Sequence, residues 1–161
     1  MNTHHVYLGL GSNLGNRKNN LEEAIRQIGE FAAIKKASSI YETEPWGLKD
    51  QPKFLNQVIF VVSILGANEL LSRLKKIEQQ MGRKKSVRFG PRLIDLDILF
   101  YDDLIMKTDN LTIPHPYLAE RAFVLVPLAE IAPKLVHPQR LKTIKALMKE
   151  VDPSSVSLRK D

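Results

Sequence analysis

The sequence predicts an α+β fold of the split β-α-β, ferredoxin-like type: a mainly antiparallel sheet with two helices on one face, and an additional C-terminal hairpin and short helices. Two observations carry this. Up to Tyr101, apolar runs rich in Val, Ile and Leu alternate with stretches of helical period in the order β-α-β-β-α-β. No internal repeat, low-complexity tract or linker interrupts the 161 residues, so the chain is expected to form one domain over 1–161.

The elements follow in order. His4 to Leu10 is short, apolar and partly alternating, which predicts a strand. Gly11 to Asn16 is turn-rich, and the glycines of Gly9-Leu10-Gly11-Ser12-Asn13-Leu14-Gly15 read as a tight turn into a helix. Their spacing misses the dinucleotide fingerprint by one residue, and the Gly-Lys-Ser/Thr ending of a phosphate loop is missing. Leu21, Ala24, Ile25 and Ile28 give a helix over about Arg17 to Phe31. Ile34 to Tyr41 reads as a second strand, and Pro45, Gly47 and Pro52 make Glu42 to Lys53 a loop. Phe54 to Leu65 is a long strand. Glu69 to Met81 is a second helix, with Gly82 as its cap. A basic loop, Arg83 to Arg92, leads into a strand from Leu93 to Tyr101. Asp102-Asp103 marks a turn, and a hairpin follows through Ile113. Tyr117 to Ile131 is a broken helix containing Pro127, Thr143 to Val151 is a last short helix, and the tail after Pro153 is expected to fray.

Composition excludes several classes. There is no cysteine, hence no disulfide framework, thiolate metal site or cysteine nucleophile, which suits a reducing cytosol. The start lacks a basic region and a long apolar run, so it is not a secretory signal. The longest apolar stretch, Val58 to Ala67, is too short to span a bilayer, so a soluble, cytoplasmic protein is expected. Net charge is +6. Between Glu78 and Asp95 no acid occurs, while Arg83, Lys84, Lys85, Arg88 and Arg92 do, which points to an anionic partner.

The chemistry centres on Asp95-Leu96-Asp97. On a strand, alternate side chains share a face, so both carboxylates project together, about 6.6 Å apart along the strand. Two acids that close repel unless a cation joins them, and Mg²⁺ takes one or two carboxylates plus phosphate oxygens. Apolar neighbours Ile94, Leu96, Ile98, Leu99 and Phe100 place the pair on a buried strand, where paired acids need a reason. Arg83, Arg88 and Arg92 carry planar forks suited to phosphate. Alone this loop would be a solvated charged segment; beside two acids it completes the parts of phosphoryl transfer. Glu78 lies near the apolar face of its helix, as a boundary residue or as a partner for a ligand or a loop arginine. Phe54, Asn56 and Phe123 read as core, though aromatic faces with an amide also suit a flat heterocycle. His115, between Pro114 and Pro116, is either merely exposed or a donor to phosphate.

The stretch from Arg88 to Leu99, RFGPRLIDLDIL, resembles the signature of the 6-hydroxymethyl-7,8-dihydropterin pyrophosphokinases. Gly9 to Gly15 resembles the family's amino-terminal turn. Tyr41 to Gly47 and Gln51 to Asn56 resemble its pterin loop, and Pro114-His115-Pro116 through Phe123 its carboxy-terminal site segment. The resemblance implies a monomeric enzyme that transfers pyrophosphate from ATP to the hydroxymethyl oxygen of the pterin, leaving AMP, in folate synthesis. It implies catalytic roles for Arg83, Arg92, Asp95 and Asp97, with Asp95 and Asp97 holding two Mg²⁺ ions. It assigns ATP to Glu78, Arg88, Arg92, Ile98, Thr112, His115 and Arg121. It assigns the pterin to Thr43, Pro45, Trp46, Phe54, Asn56, Phe89, Asp95 and Phe123. Four places depart from the pattern: Phe89 stands where many members have tryptophan, Phe54 and Pro116 where some have tyrosine, and Lys84 or Lys85 replaces the second loop arginine. No side chain stands out as the base that takes the hydroxyl proton. Two rival readings share the fold. A two-metal nucleotidyl transferase would release pyrophosphate rather than AMP. An RNA-binding module would need exposed aromatics on a basic strand, which the central strands lack, so no nucleic-acid or membrane partner is expected.

Overall fold

In the computed structural model, residues 2–45, 50–82 and 93–159 are described. The elements are β1 (His4–Ser12), α1 (Arg17–Ile28), β2 (Ala33–Ala37), β3 (Tyr41–Thr43), β4 (Phe54–Ser63), α2 (Ala67–Gln80), β5 (Asp95–Tyr101), β6 (Met106–Lys107), β7 (Thr112–Ile113), α3 (Ala122–Ile131), α4 (Ile144–Met148) and β8 (Val156–Leu158). The main sheet runs β5-β1-β4-β3-β8, with β2 also on β4, and all its pairings are antiparallel. β6 and β7 form the expected hairpin.

Alternation along the strands sorts the side chains into two layers. Leu8 and Leu10 of β1, Leu55, Ile59 and Val61 of β4, and Leu96 and Ile98 of β5 face Leu21, Ala24 and Ile28 of α1 and Leu70, Leu74 and Ile77 of α2. Each fully buried Leu or Ile there contributes about 1.5–3 kcal/mol. The other face carries Val58, Leu99 and Phe100, packed on Val124, Leu125 and Leu128 of α3 and Ile144 and Leu147 of α4. The C-terminal helices thus cover the face that the two long helices leave open. Leu99 and Phe100 share that face because the β1–β5 register slips by one residue between Tyr7 and Leu8, a bulge.

Several boundaries differ from expectation. β1 continues to Ser12, so Gly9 and Gly11 lie inside a strand; of the three glycines only Gly15, at φ 71°, makes the turn. α1 ends at Ile28, where the amides of Phe31 and Ala32 bond the Ile28 carbonyl in a closing turn. The strand expected over Ile34–Tyr41 is broken at Ser38, whose hydroxyl accepts from the Val58 amide at 3.0 Å. The break near α3 falls at Arg121, after a 3-10 turn at Leu118–Glu120, while Pro127 sits inside the helix. The tail is held as far as Arg159: β8 pairs with β3, and the Arg159 amide bonds the Ile40 carbonyl at 2.9 Å. Among the described residues, no helix is long and apolar enough to cross a membrane.

Candidate active site

Among the described residues β5 is an edge strand, paired with β1 alone. Its register sets two rows across the sheet, on the face that α3 shares. One row is Asp95, Gly11 and Asn56; the other is Asp97, Gly9 and Val58. The carboxylates therefore stand side by side as their spacing predicts, and each looks across bare backbone toward β4. A Cβ on Gly11 would lie 3.0 Å from Asn56 Oδ1 and 3.5 Å from Phe54 Cδ1. The glycine leaves space that those two side chains border.

Asp97 has its pKa pushed up to about 7, first by burial, then by Asp95 and Glu78; Arg121 and Lys75 oppose the shift. Three acids gathered near one strand end strain to take up a cation or a proton. Among the described residues no group of three or more His, Cys, Asp or Glu forms a metal cage. Two carboxylates with room for other oxygen ligands fit Mg²⁺, which completes its shell with phosphate and water.

Glu78 is 1% exposed. Its Oε2 accepts from the Leu96 backbone amide at 2.8 Å, and Lys75 Nζ stands 3.6 Å from Oε1. Leu96 points its N–H away from β1, so α2 supplies the acceptor that the sheet edge lacks. Of the two readings open for Glu78, the boundary one gives way to a buried carboxylate that braces the strand between Asp95 and Asp97.

A cavity of about 230 Å³ opens beside that edge, lined in part by Lys75, Asp97, Ile98, Thr112 and His115. Its walls come from α2, β5 and the turn of the β6–β7 hairpin. His115 Nδ1 accepts from the Tyr117 amide at 3.2 Å, and burial and Arg121 push its pKa down to about 4. The ring is neutral at pH 7 and holds its proton on Nε2, as a donor. Arg121 caps the start of α3 and lies over the rings of Tyr117 (5.1 Å) and Phe123 (5.5 Å). Asp97 and Asp95 favour its charged form against the cost of burial.

On the opposite flank, Asn56 Nδ2 donates to Thr43 Oγ1 at 2.5 Å. β3 pairs Thr43 with Phe54 and Tyr41 with Asn56, and Pro45 is buried next along the chain. The structure thus gathers Thr43, Phe54 and Asn56 on one side of the carboxylates and Ile98, Thr112 and His115 on the other. Arg121 and Phe123 come from the covering helix. Arg83, Arg88, Phe89 and Arg92, with Lys84 and Lys85, lie outside the described residues, as does Trp46. Sequence reasoning missed Gly11 and Lys75. Glycines spaced by two within a strand mark a bare face, and Lys75 sits three residues before Glu78 on the same helix face.

The model of the 7,8-dihydro-6-hydroxymethylpterin-pyrophosphokinases matches residues 7–133. The chain belongs to that family. It is 44% identical over 145 residues to the 2-amino-4-hydroxy-6-hydroxymethyldihydropteridine pyrophosphokinase of Aquifex aeolicus, covering 90% of this chain and 91% of the relative. The Bacillus subtilis pyrophosphokinase is 45% identical over 128 residues, 78% of this chain and 77% of its own. The mitochondrial folate synthesis bifunctional protein of Arabidopsis thaliana is 50% identical over 129 residues, 80% of this chain but 23% of that longer protein. The crystal structure of the wild-type Plasmodium falciparum HPPK-DHPS superposes with a TM-score of 0.77 at 19% identity, over 92% of this chain and 45% of that one. This likeness shows the ferredoxin-like fold. As a pyrophosphokinase, the enzyme is a diphosphotransferase that moves pyrophosphate from ATP to hydroxymethyldihydropterin in folate synthesis.

Proposed function

We propose that the transfer runs across the Asp95–Asp97 pair, with ATP entering from the cavity beside β5 and the pterin lying over Gly11 against Phe54 and Asn56. The observation that carries this reading is the placement of two carboxylates between a polar cavity and an aromatic–amide pocket. Asp95 and Asp97 would hold two Mg²⁺ ions. When bound, these would neutralise charge that builds on the phosphates as the hydroxymethyl oxygen attacks the β-phosphorus and AMP leaves.

The protein's own groups do the rest. His115 offers its Nε2–H to a phosphate oxygen, and Arg121 adds a fixed positive charge beside the carboxylates. Ile98 and Thr112 line the nucleotide side, and Glu78 keeps Asp95 and Asp97 at one height by holding Leu96 between them. Asn56, oriented by Thr43, presents an amide oxygen to the donor edge of the pterin, with Phe54 and Phe123 as its apolar walls. Arg83, Arg88, Arg92, Phe89, Pro45 and Trp46 are assigned with them by the signature they share with the family. Alignment of the reactive oxygen and phosphorus supplies much of the rate. One chain builds both flanks, which supports a monomeric single-domain enzyme, and the absence of cysteine suits the cytoplasm.

The test is AMP release from ATP and Mg²⁺, with and without 6-hydroxymethyl-7,8-dihydropterin. AMP is expected in equal amount to pterin consumed. Release of pyrophosphate instead would move the enzyme to nucleotidyl transfer.

A further inference from the structure

The turn that joins β1 to α1 is held from several sides. β1 is paired along both edges. Asn20 Nδ2 donates to Ser12 Oγ at 3.1 Å and to the Leu14 carbonyl at 2.9 Å. Asn16 caps α1, its side chain accepting from the Asn19 amide at 3.1 Å.

From this fixed turn two side chains reach outward. Asn13, 1% exposed, donates through Nδ2 to Gln51 Oε1 at 2.8 Å and to the Pro52 carbonyl at 3.0 Å. Arg17 Nη1 donates to the Lys53 carbonyl at 3.0 Å and to Glu42 Oε2 at 2.9 Å. Residues 51–53 are thereby tied to the turn, and β3 is tied to the same guanidinium. These bonds end on the two arms that lead into the pterin flank: Lys53 precedes Phe54, and Glu42 precedes Thr43.

The Arg17–Glu42 pair is part exposed, 26% and 37% by side chain. Such a pair stabilises a fold by about 0–1 kcal/mol. Its larger effect is on position, because one guanidinium fixes both arms at once. A connecting segment gains little order from its own chain, so its ends stand where outside ties put them.

We infer that Asn13 and Arg17 are positioning residues for the pterin: they set where Phe54 and Thr43 stand, and so govern pterin affinity without acting on the nucleotide. The inference rests on the pterin reading above.

The test uses Asn13→Asp, which keeps the shape and removes both donors, and Arg17→Ala, each in the full-length enzyme. AMP formation gives kcat and a separate KM for each substrate, and thermal unfolding reports the fold. Each variant is expected to raise the pterin KM about tenfold, the loss of a buried or charge-assisted hydrogen bond, while the ATP KM moves less than about twofold. Arg17→Lys, which keeps the charge but not the fork, should recover part of the loss. Should Asn13→Asp fail to fold, Gln51→Ala removes the same contact from the loop side and should raise the pterin KM in the same direction. A pterin KM unchanged in folded variants overturns the inference. So does a parallel rise of both KM values with a lowered Tm, which marks a purely structural role. Wild-type enzyme that makes no pterin-dependent AMP overturns the reading beneath it instead, and the inference goes with it.

Discussion

Replacing Gly11 by alanine adds one methyl group at the centre of the row between Asp95 and Asn56. The new Cβ would stand 3.0 Å from Asn56 Oδ1 and 3.5 Å from Phe54 Cδ1. The second distance is ordinary contact; the first requires the amide oxygen to withdraw by a few tenths of an ångström. That oxygen cannot withdraw freely, because Asn56 Nδ2 is already bonded to Thr43 Oγ1 at 2.5 Å. The amide must either loosen that bond or tilt away from the proposed pterin position. Either change costs about the net worth of one hydrogen bond, ~1 kcal/mol, or roughly fivefold in affinity. Gly11 lies in an extended strand, so alanine fits its backbone and removes freedom from the unfolded chain. Stability should therefore change little, the reduced freedom of the unfolded chain offsetting the loosened hydrogen bond, while the pterin KM increases about fivefold. Steady-state AMP release with each substrate varied, together with thermal unfolding, measures both. Gly9→Ala is the companion: the nearest atoms to its Cβ belong to the Leu99 side chain, at 3.4 Å and beyond, and a smaller effect is expected. A folded Gly11→Ala enzyme with unchanged pterin KM would refute the placement of the pterin over this face.

Other consequences can be measured directly. Asp97→Ala should nearly abolish turnover and leave the fold intact, since it removes one of three crowded acids; normal activity would remove the metal assignment. Glu78→Leu leaves the Leu96 amide without its acceptor and should cost about 1–3 kcal/mol in urea unfolding, whereas Glu78→Gln keeps an acceptor and should cost less. His137 is buried, and its Nδ1 accepts from the Gln139 and Arg140 amides at 3.2 and 3.1 Å; burial, then Arg140, pushes its pKa below the usual value. The unfolded state takes its proton first as pH falls below about 6.5, so this group's share of stability is present at neutral pH and lost on acidification. The Tm of His137→Phe should therefore fall less between pH 8 and 5 than that of the wild type, and equal slopes would refute this account. Removing residues 156–161 should lower the Tm and raise the pterin KM, because β3, which carries Thr43, loses one of its two partner strands.

The carboxylate pair was legible because a period of two in a strand leaves no other arrangement: Asp95 and Asp97 had to share a face opposite Leu96. The long helices were legible from their apolar stripes, and α1 and α2 sit where Leu21 to Ile28 and Leu70 to Ile77 place them. What failed was nonlocal. Val156–Leu158 is too short to show a period, and its pairing partner lies more than a hundred residues earlier in β3. The split between β2 and β3 hinges on a hydroxyl of Ser38 bonding β4, a contact invisible along the chain. Gly11 was misread because glycine in a strand and glycine in a turn look alike until the register is known. Glu78 was placed near the apolar face correctly, but its partner, the Leu96 amide, lies across a segment whose path the local pattern does not give.

The outer edge of β5 has a further consequence, for self-association. An edge strand offers unpaired amides and carbonyls to any extended chain that drifts past, and long flat edges template aggregation. Here the Leu96 amide is taken by Glu78, and the Leu99 carbonyl by the His115 amide at 3.1 Å. The bulge at Leu99 spoils the flatness between those points. The groups that frame the cavity beside β5 thus also shield the strand from recruitment by another sheet. A substitution that empties this corner would be read twice, once in lost turnover and once in a protein that stays in solution less well.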